Sequence, residues 1–270
     1  MRTSKVYAVL ARAIVDAPFR ESLFRNGRQT LEEWDLSDGE QAYLQELPYG
    51  SFEKMVGHLI SHWLVPVTVN DRYVVLPERV GDYDTDEMIP LRLASSFAFG
   101  NGAHPTTALC LAALDEMIRP GFRVLDLGTG SGILSIAAAL NDAGLVLSLD
   151  IDATSAAAAE ENIRLNSVEK IVEVRQGSLT EALAVCHASG GFDLALVNIL
   201  TPVVLSLLDD GLCEVLRPAG VLVCSGIVSG EVPMMKQTLR NAGLARFETK
   251  EKDGWAAVIS QRPPISDKKR

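Results

Sequence analysis

Val124-Leu125-Asp126-Leu127-Gly128-Thr129-Gly130-Ser131-Gly132-Ile133 is the stretch from which the fold can be worked out. The apolar run Val124 to Leu127 has the length of a buried strand, and the glycine cluster after it marks a sharp turn. Ile133 to Leu140 then reads as a helix. Glycines at such a turn let the backbone bend and approach a ligand with no Cβ in the way. In open α/β sheets this turn lies at the carboxyl edge of the strands, where ligands bind.

The alternation continues outward. Val146 to Leu149 reads as a strand ending in Asp150, Ala153 to Asn166 as an alanine-rich helix, and Val172 to Arg175 as a strand. Leu194 to Val197 is a strand ending in Asn198, Pro202 to Val215 a helix, Val221 to Cys224 a strand and Val232 to Ala242 a helix. Arg246 to Lys250 and Trp255 to Ser260 are strands separated by Asp253-Gly254, a hairpin signal. Strands alternating with helices argue for a parallel sheet covered on both faces.

Two ligand classes compete for the glycine loop. A dinucleotide site has G-x-G-x-x-G, with a pyrophosphate at the helix N-terminus. Here the third glycine is Gly132, one position early, so the spacing is G-x-G-x-G. Asp126 also precedes the loop by two residues. A carboxylate there repels a pyrophosphate and suits a cationic amino-acid ligand. Asp150, at the end of the second strand, is placed to accept both hydroxyls of a ribose. The antiparallel last pair of strands also departs from a nicotinamide-binding sheet, which usually ends in a parallel strand, and matches the common methyltransferase fold.

Residues 1–50 read as a small helical domain. Ala8, Leu10, Ala11, Ile14 and Val15 fall at helical spacing, Pro18 breaks or restarts the pattern, and Asn26-Gly27 is a stop signal. Ser37-Asp38-Gly39-Glu40 reads as a capping box before a further apolar run. Residues 51–96 read as a linker, with a helix from Phe52 to Trp63, strands around Val65 to Val69 and Tyr73 to Leu76 across an Asn70-Asp71 turn, and a polar loop from Pro77 to Pro90. Residues 97–262 form the main domain, and 263–270 a disordered tail.

The chain of 270 residues is 47% apolar, enough for a large core, and carries a net charge of -10. That charge argues against direct nucleic-acid binding, which needs clustered Lys and Arg, and suits a small ligand or a basic protein. Cys110, Cys186, Cys213 and Cys224 form no CxxC pair and read as free thiols of a reducing compartment, with no metal site. No run approaches the roughly 18 apolar residues of a membrane span, and no signal peptide is read, so the expected location is the cytoplasm.

Phe97-Ala98-Phe99-Gly100-Asn101-Gly102-Ala103-His104-Pro105-Thr106-Thr107 resembles the signature preceding the catalytic domain of the PrmA family, the bacterial methyltransferases of ribosomal protein L11. Val124 to Ile133 is similar to that family's cofactor loop, Leu149-Asp150-Ile151-Asp152 to its ribose-binding strand end, Val197-Asn198-Ile199-Leu200 to its N-I-L motif, and Ser225-Gly226-Ile227 and Trp255 to later elements. Asn101 and Ala103 depart from the family's usual threonines. The likeness covers roughly residues 60 to 262, and the helical N-terminus differs from the family's α/β recognition domain.

The resemblance implies a seven-stranded, mostly parallel, Rossmann-like class I methyltransferase sheet with a terminal antiparallel hairpin. It implies S-adenosylmethionine as cofactor, bound by Thr107, Gly128, Asp150 and Asn198; Asp126 and Gly130 join them from the reading of the loop. Asn198 is the expected catalytic residue, orienting the acceptor, and His104 is a candidate base. The expected reaction is methyl transfer to an amine of a protein or peptide, a ribosomal protein among the candidates. The alternative is a small-molecule N- or O-methyltransferase with the N-terminal helices as a lid.

Overall fold

The computed structural model describes residues 67–78, 83–85, 87–94 and 104–264, together with Val9, Arg12, residues 17–31 and Trp34. The chain divides into two compact units, 1–64 and 65–270. The expectations placed on Phe52 to Trp63, on the Ser37 to Glu40 box, on Asn101 and Ala103 and on the tail from 265 fall outside the described residues.

In the first unit, α1 spans Ala17–Leu31. Pro18 lies in its first turn, where a missing N–H costs nothing. The helix runs through Asn26-Gly27, expected to end it, and stops at Leu31. Burial of Leu31, Leu23 and Phe19 outweighs the helix penalty of about 1 kcal/mol for a glycine. Trp34 stacks at a tilt on Phe19, their centroids 5.8 Å apart.

The second unit contains two sheets. The small one has the order β1 (Val67–Val69), β2 (Tyr73–Pro77) and β3 (Ile89–Leu93). Asn70 and Asp71 both take positive φ, as the tight antiparallel turn between β1 and β2 requires. β3 was read as the end of a loop and a featureless stretch; it pairs parallel to β2, with Leu91 and Leu93 buried. Side chains tie this sheet to the rest of the unit. The Tyr73 hydroxyl donates to Asp115 and accepts from Asn141 Nδ2 at 2.9 Å, and Arg72 Nε lies 3.2 Å from Asp115.

The large sheet has seven strands in the order β6-β5-β4-β7-β8-β10-β9. They are β4 (Arg123–Leu127), β5 (Leu145–Asp150), β6 (Val172–Gln176), β7 (Phe192–Asn198), β8 (Leu216–Val228), β9 (Ala245–Lys252) and β10 (Trp255–Gln261). β4 to β8 pair in parallel, while β10 is antiparallel to both β8 and β9. The hairpin turn at Asp253-Gly254 has positive φ at both residues, as its sequence requires.

Alternation along the strands builds two cores. Val124, Val146, Leu194, Leu196 and Val223 pack on one face against α2 (Pro105–Met117), α3 (Ile133–Leu140) and α4 (Ala153–Leu165). Leu125, Leu127, Leu147, Leu149, Ala195 and Val197 pack on the other against α5 (Leu179–Ser189), α6 (Thr201–Asp209) and α7 (Val232–Asn241). The helix read as Pro202 to Val215 stops at Asp209, and a short 3-10 turn, Leu212–Val215, follows Gly211 at φ 98°. β8 is longer than the core Val221 to Cys224. It absorbs Pro218-Ala219-Gly220 as an irregularity, its pairing with β7 jumping from Phe192↔Leu216 to Leu194↔Val221.

Candidate active site

The carboxyl edge of β4, β5, β7 and β8 gathers most of the residues singled out in the sequence. After β4 the loop Gly128–Gly132 is sewn to the end of β5. Gly128 N and Thr129 N both donate to Leu149 O, at 2.8 and 3.0 Å, and Gly130 N donates to Asp150 Oδ2 at 2.9 Å. Asp150 Oδ1 accepts from Asp152 N at 3.0 Å. Each carboxylate oxygen therefore holds one backbone donor and keeps a second lone-pair direction. Asp152 caps α4 through Thr154 N and Ser155 N.

Asp126, a candidate to accept hydrogen bonds from a cationic amino-acid ligand, is tied into the loop itself. It is buried, and its Oδ2 accepts from Thr129 Oγ1 at 2.7 Å and Ser135 Oγ at 2.6 Å, with Ser148 Oγ 2.5 Å beyond Ser135. Burial pushes its carboxyl above the usual range, and these hydroxyls pull it back. Asp126 thus holds the glycine loop to the first turn of α3.

Two glycines here are dictated by space. A Cβ on Gly128 would lie 2.7 Å from Ile199 Cγ2, and one on Gly226 would lie 2.3 Å from the Ile199 carbonyl oxygen. The Asn198-Ile199-Leu200 turn is therefore wedged between the ends of β4 and β8. Asn198 is half-buried, and its carboxamide has no hydrogen-bond partner among the described residues. Beside it in register, Ser225 is buried and donates toward Thr106 O and Ala256 O.

α2 approaches the same edge. His104 is its N-cap: Nδ1 accepts from Thr106 N at 3.3 Å and lies 2.8 Å from Thr106 Oγ1. The ring packs edge-on against Trp255, centroids 5.1 Å apart, and burial lowers its pKa from the usual histidine value. Capping engages Nδ1, so a base role, for which His104 was a candidate, would fall to the other ring nitrogen. Thr107, one residue on, is buried, and its Oγ1 has no hydrogen-bond partner among the described residues. Leaving a buried hydroxyl unpaired costs about 1–3 kcal/mol, so a polar ligand group there would be favoured.

Two residues were given no role of their own in the sequence. Ile151 follows Asp150 with 74% of its surface exposed, an apolar platform beside the carboxylate. Its signal was the placement of an isoleucine just past a strand-end acid. Asn162 on α4 is fully buried; its Oδ1 accepts from Ala94 N at 2.7 Å and its Nδ2 donates to Ser131 O at 2.8 Å. It bridges the glycine loop to the segment leaving β3, a long-range role that periodicity does not reveal.

A mostly parallel sheet closed by an antiparallel hairpin, with a glycine loop sewn to a strand-end carboxylate, is the architecture of S-adenosylmethionine-dependent methyltransferases, and this chain is one. The sequence model of ribosomal protein L11 methyltransferase (PrmA) matches residues 58–263, and the chain belongs to that family. The L11 methyltransferase of Listeria innocua is 35% identical over 225 residues, covering 80% of this chain and 70% of its own length. That of Symbiobacterium thermophilum is 35% identical over 206 residues, covering 76% and 65%. The crystal structure of a ribosomal protein L11 methylase from Lactobacillus delbrueckii subsp. bulgaricus superposes with a TM-score of 0.63 at 30% identity, covering 73% of this chain and 98% of that one. Among the described residues no helix is long and apolar enough to cross a membrane.

Proposed function

We propose that this chain methylates ribosomal protein L11 on amine nitrogen, with Asn198 orienting the acceptor and the loop between β4 and α3 holding the cofactor. The observation that carries the reading is the family match across 58–263, which spans every residue of the carboxyl-edge site. The site fits the cofactor on its own terms. Asp150 keeps a free acceptor direction on each oxygen for a ribose, the orphaned Thr107 hydroxyl can pair with the methionine carboxylate, and Ile151 offers apolar surface for a flat base.

S-adenosylmethionine supplies a methyl group on a positively charged sulfur, already activated toward a nucleophile. The chain's contribution is placement. Gly128 and Gly130 bring backbone close to the ligand, Asp126 keeps their loop in shape, and Asp150 fixes the sugar. Asn198 offers its carboxamide oxygen to an amine N–H and so aims the nitrogen lone pair at the methyl carbon. A lysine amine has a reference pKa near 10.4 and must lose its proton to solvent first. Desolvation beside a positive charge lowers that pKa, so no dedicated strong base is required. His104 serves this arrangement as the cap that starts α2, setting Thr107 in place.

The test is transfer of tritiated methyl from S-adenosylmethionine to purified L11, with a size-fractionated lysate in parallel. Label on L11 is expected. Label confined to another protein would mean a changed protein acceptor. Label confined to small molecules would sink the protein reading and favour a small-molecule acceptor.

A further inference from the structure

Seven large apolar side chains are exposed among the described residues, and four of them, Leu200, Val203, Val228 and Met234, lie on two short segments. One segment leaves β7 just after Asn198; the other leaves β8. Both lead into helices that begin alike, α6 with Thr201-Pro202-Val203 and α7 with Val232-Pro233-Met234. In each, the proline and the apolar residue after it are exposed, while the residue before the proline is buried. Thr201 Oγ1 donates to Glu231 Oε2 at 2.7 Å and fastens the two starts together. The result is a rim of exposed apolar residues on two helix starts that are fastened together, with the Glu231 carboxylate at the join and Leu200 two residues along the chain from Asn198.

Apolar residues grouped at the edge of a site mark a binding surface more often than ones scattered singly. Its prolines fix φ, so a partner meets a surface that is already ordered and loses little conformational freedom on docking. An acceptor amine arrives as a cation, and Glu231 on a chain of net charge -10 attracts it.

We propose that this rim is the docking surface for the protein acceptor: it receives an apolar side chain flanking the amine to be methylated, while Glu231 draws in the cationic residues around it. The proposal rests on the reading of a protein acceptor given above. Specificity for the acceptor then resides partly in the catalytic unit itself, in the paired helix starts.

The experiment compares wild type with the double variant Val203→Asn/Met234→Asn and, separately, Glu231→Gln. All three changes fall on exposed or half-buried positions. Tritium transfer is measured to L11 and to the lysate proteins that wild type labels, alongside S-adenosylmethionine affinity by calorimetry and Tm. The double variant is expected to raise KM for the acceptor about tenfold or more, because two apolar contacts are lost, with cofactor affinity within about twofold. Glu231→Gln is expected to raise KM less and to flatten its salt dependence. Unchanged acceptor KM in the double variant overturns the docking surface and leaves protein methylation standing. A parallel loss of cofactor affinity also overturns it, since the effect would then act through the cofactor site. If wild type labels no protein at all, the protein-acceptor reading falls and the docking surface with it.

Discussion

The two ends of β7 carry similar polar side chains to opposite ends. At its start, Asp193 is buried, accepts the Arg123 backbone N–H at 2.8 Å and is ion-paired with Arg217. Arg123 reaches on to Ser189 O at 2.7 Å, and the guanidinium groups of Arg123 and Arg217 lie over Phe192 and Phe122. At its finish, Asn198 is half-buried with no side-chain hydrogen bond among the described residues, and two strands away no cation among them pairs with Asp150 at the end of β5. One strand thus separates holding from handling. The amino edge ties most of its polar groups to one another, leaving Arg123 Nε buried without a hydrogen bond, while the carboxyl edge keeps the Asn198 carboxamide open and lets apolar residues face outward.

The largest expected effect comes from the open end. Asn198→Ala should lower kcat roughly 10- to 100-fold, since the lost carboxamide aims the acceptor during transfer. S-adenosylmethionine affinity should change little. A rate near wild type would remove Asn198 from the reaction. Asp150→Ala should weaken cofactor binding by roughly 10-fold or more through loss of charge-assisted bonds, measured by calorimetry. Full affinity in that variant would put the ribose elsewhere.

The closed end should answer differently. Asp193→Ala should lower stability by about 1–3 kcal/mol in denaturant unfolding, because a buried backbone donor loses its acceptor. Its kinetic constants should match wild type at a temperature where it is folded, and a specific kinetic defect would erase the contrast between the two edges. The smallest effect concerns His104. Its pKa is lower folded than unfolded, so the unfolded chain binds the extra proton more readily. The stability tied to its cap is fully present above the unfolded value near 6.5 and is lost as pH falls through the folded pKa. His104→Asn caps without titrating, so its Tm should fall less than that of wild type between pH 7 and pH 5, by an amount worth at most about 1 kcal/mol. Parallel pH profiles would show that the cap does not titrate.

What could be read in the sequence followed from local signals. The glycine loop, the strand-end Asp150 and Asn198 and the Asp253-Gly254 turn each declare themselves within a few residues. Helix α5 was overlooked although Ser178 and Glu181 form a capping box and Gly190 ends it in the left-handed conformation. Its apolar face is short, with only Leu179 and Ala182 buried, so periodicity is faint. β3 escaped because its pairing with β2 is parallel and therefore not announced by a turn. Long-range hydrogen bonds were invisible for a plainer reason. Asn162 and Asp126 were legible as residue types, but what they hold depends on segments brought together only by folding.

The wedge of Ile199 between Gly128 and Gly226 has a consequence for how this enzyme can vary. At position 128 the obstacle is a side-chain methyl, so a smaller residue at 199 opens the space and leaves only the strain of a positive φ. At position 226 the obstacle is the main-chain carbonyl, present whatever residue stands at 199. One glycine can therefore be exchanged by a pair of compensating changes, whereas the other can be released only by moving the backbone of the turn that carries Asn198.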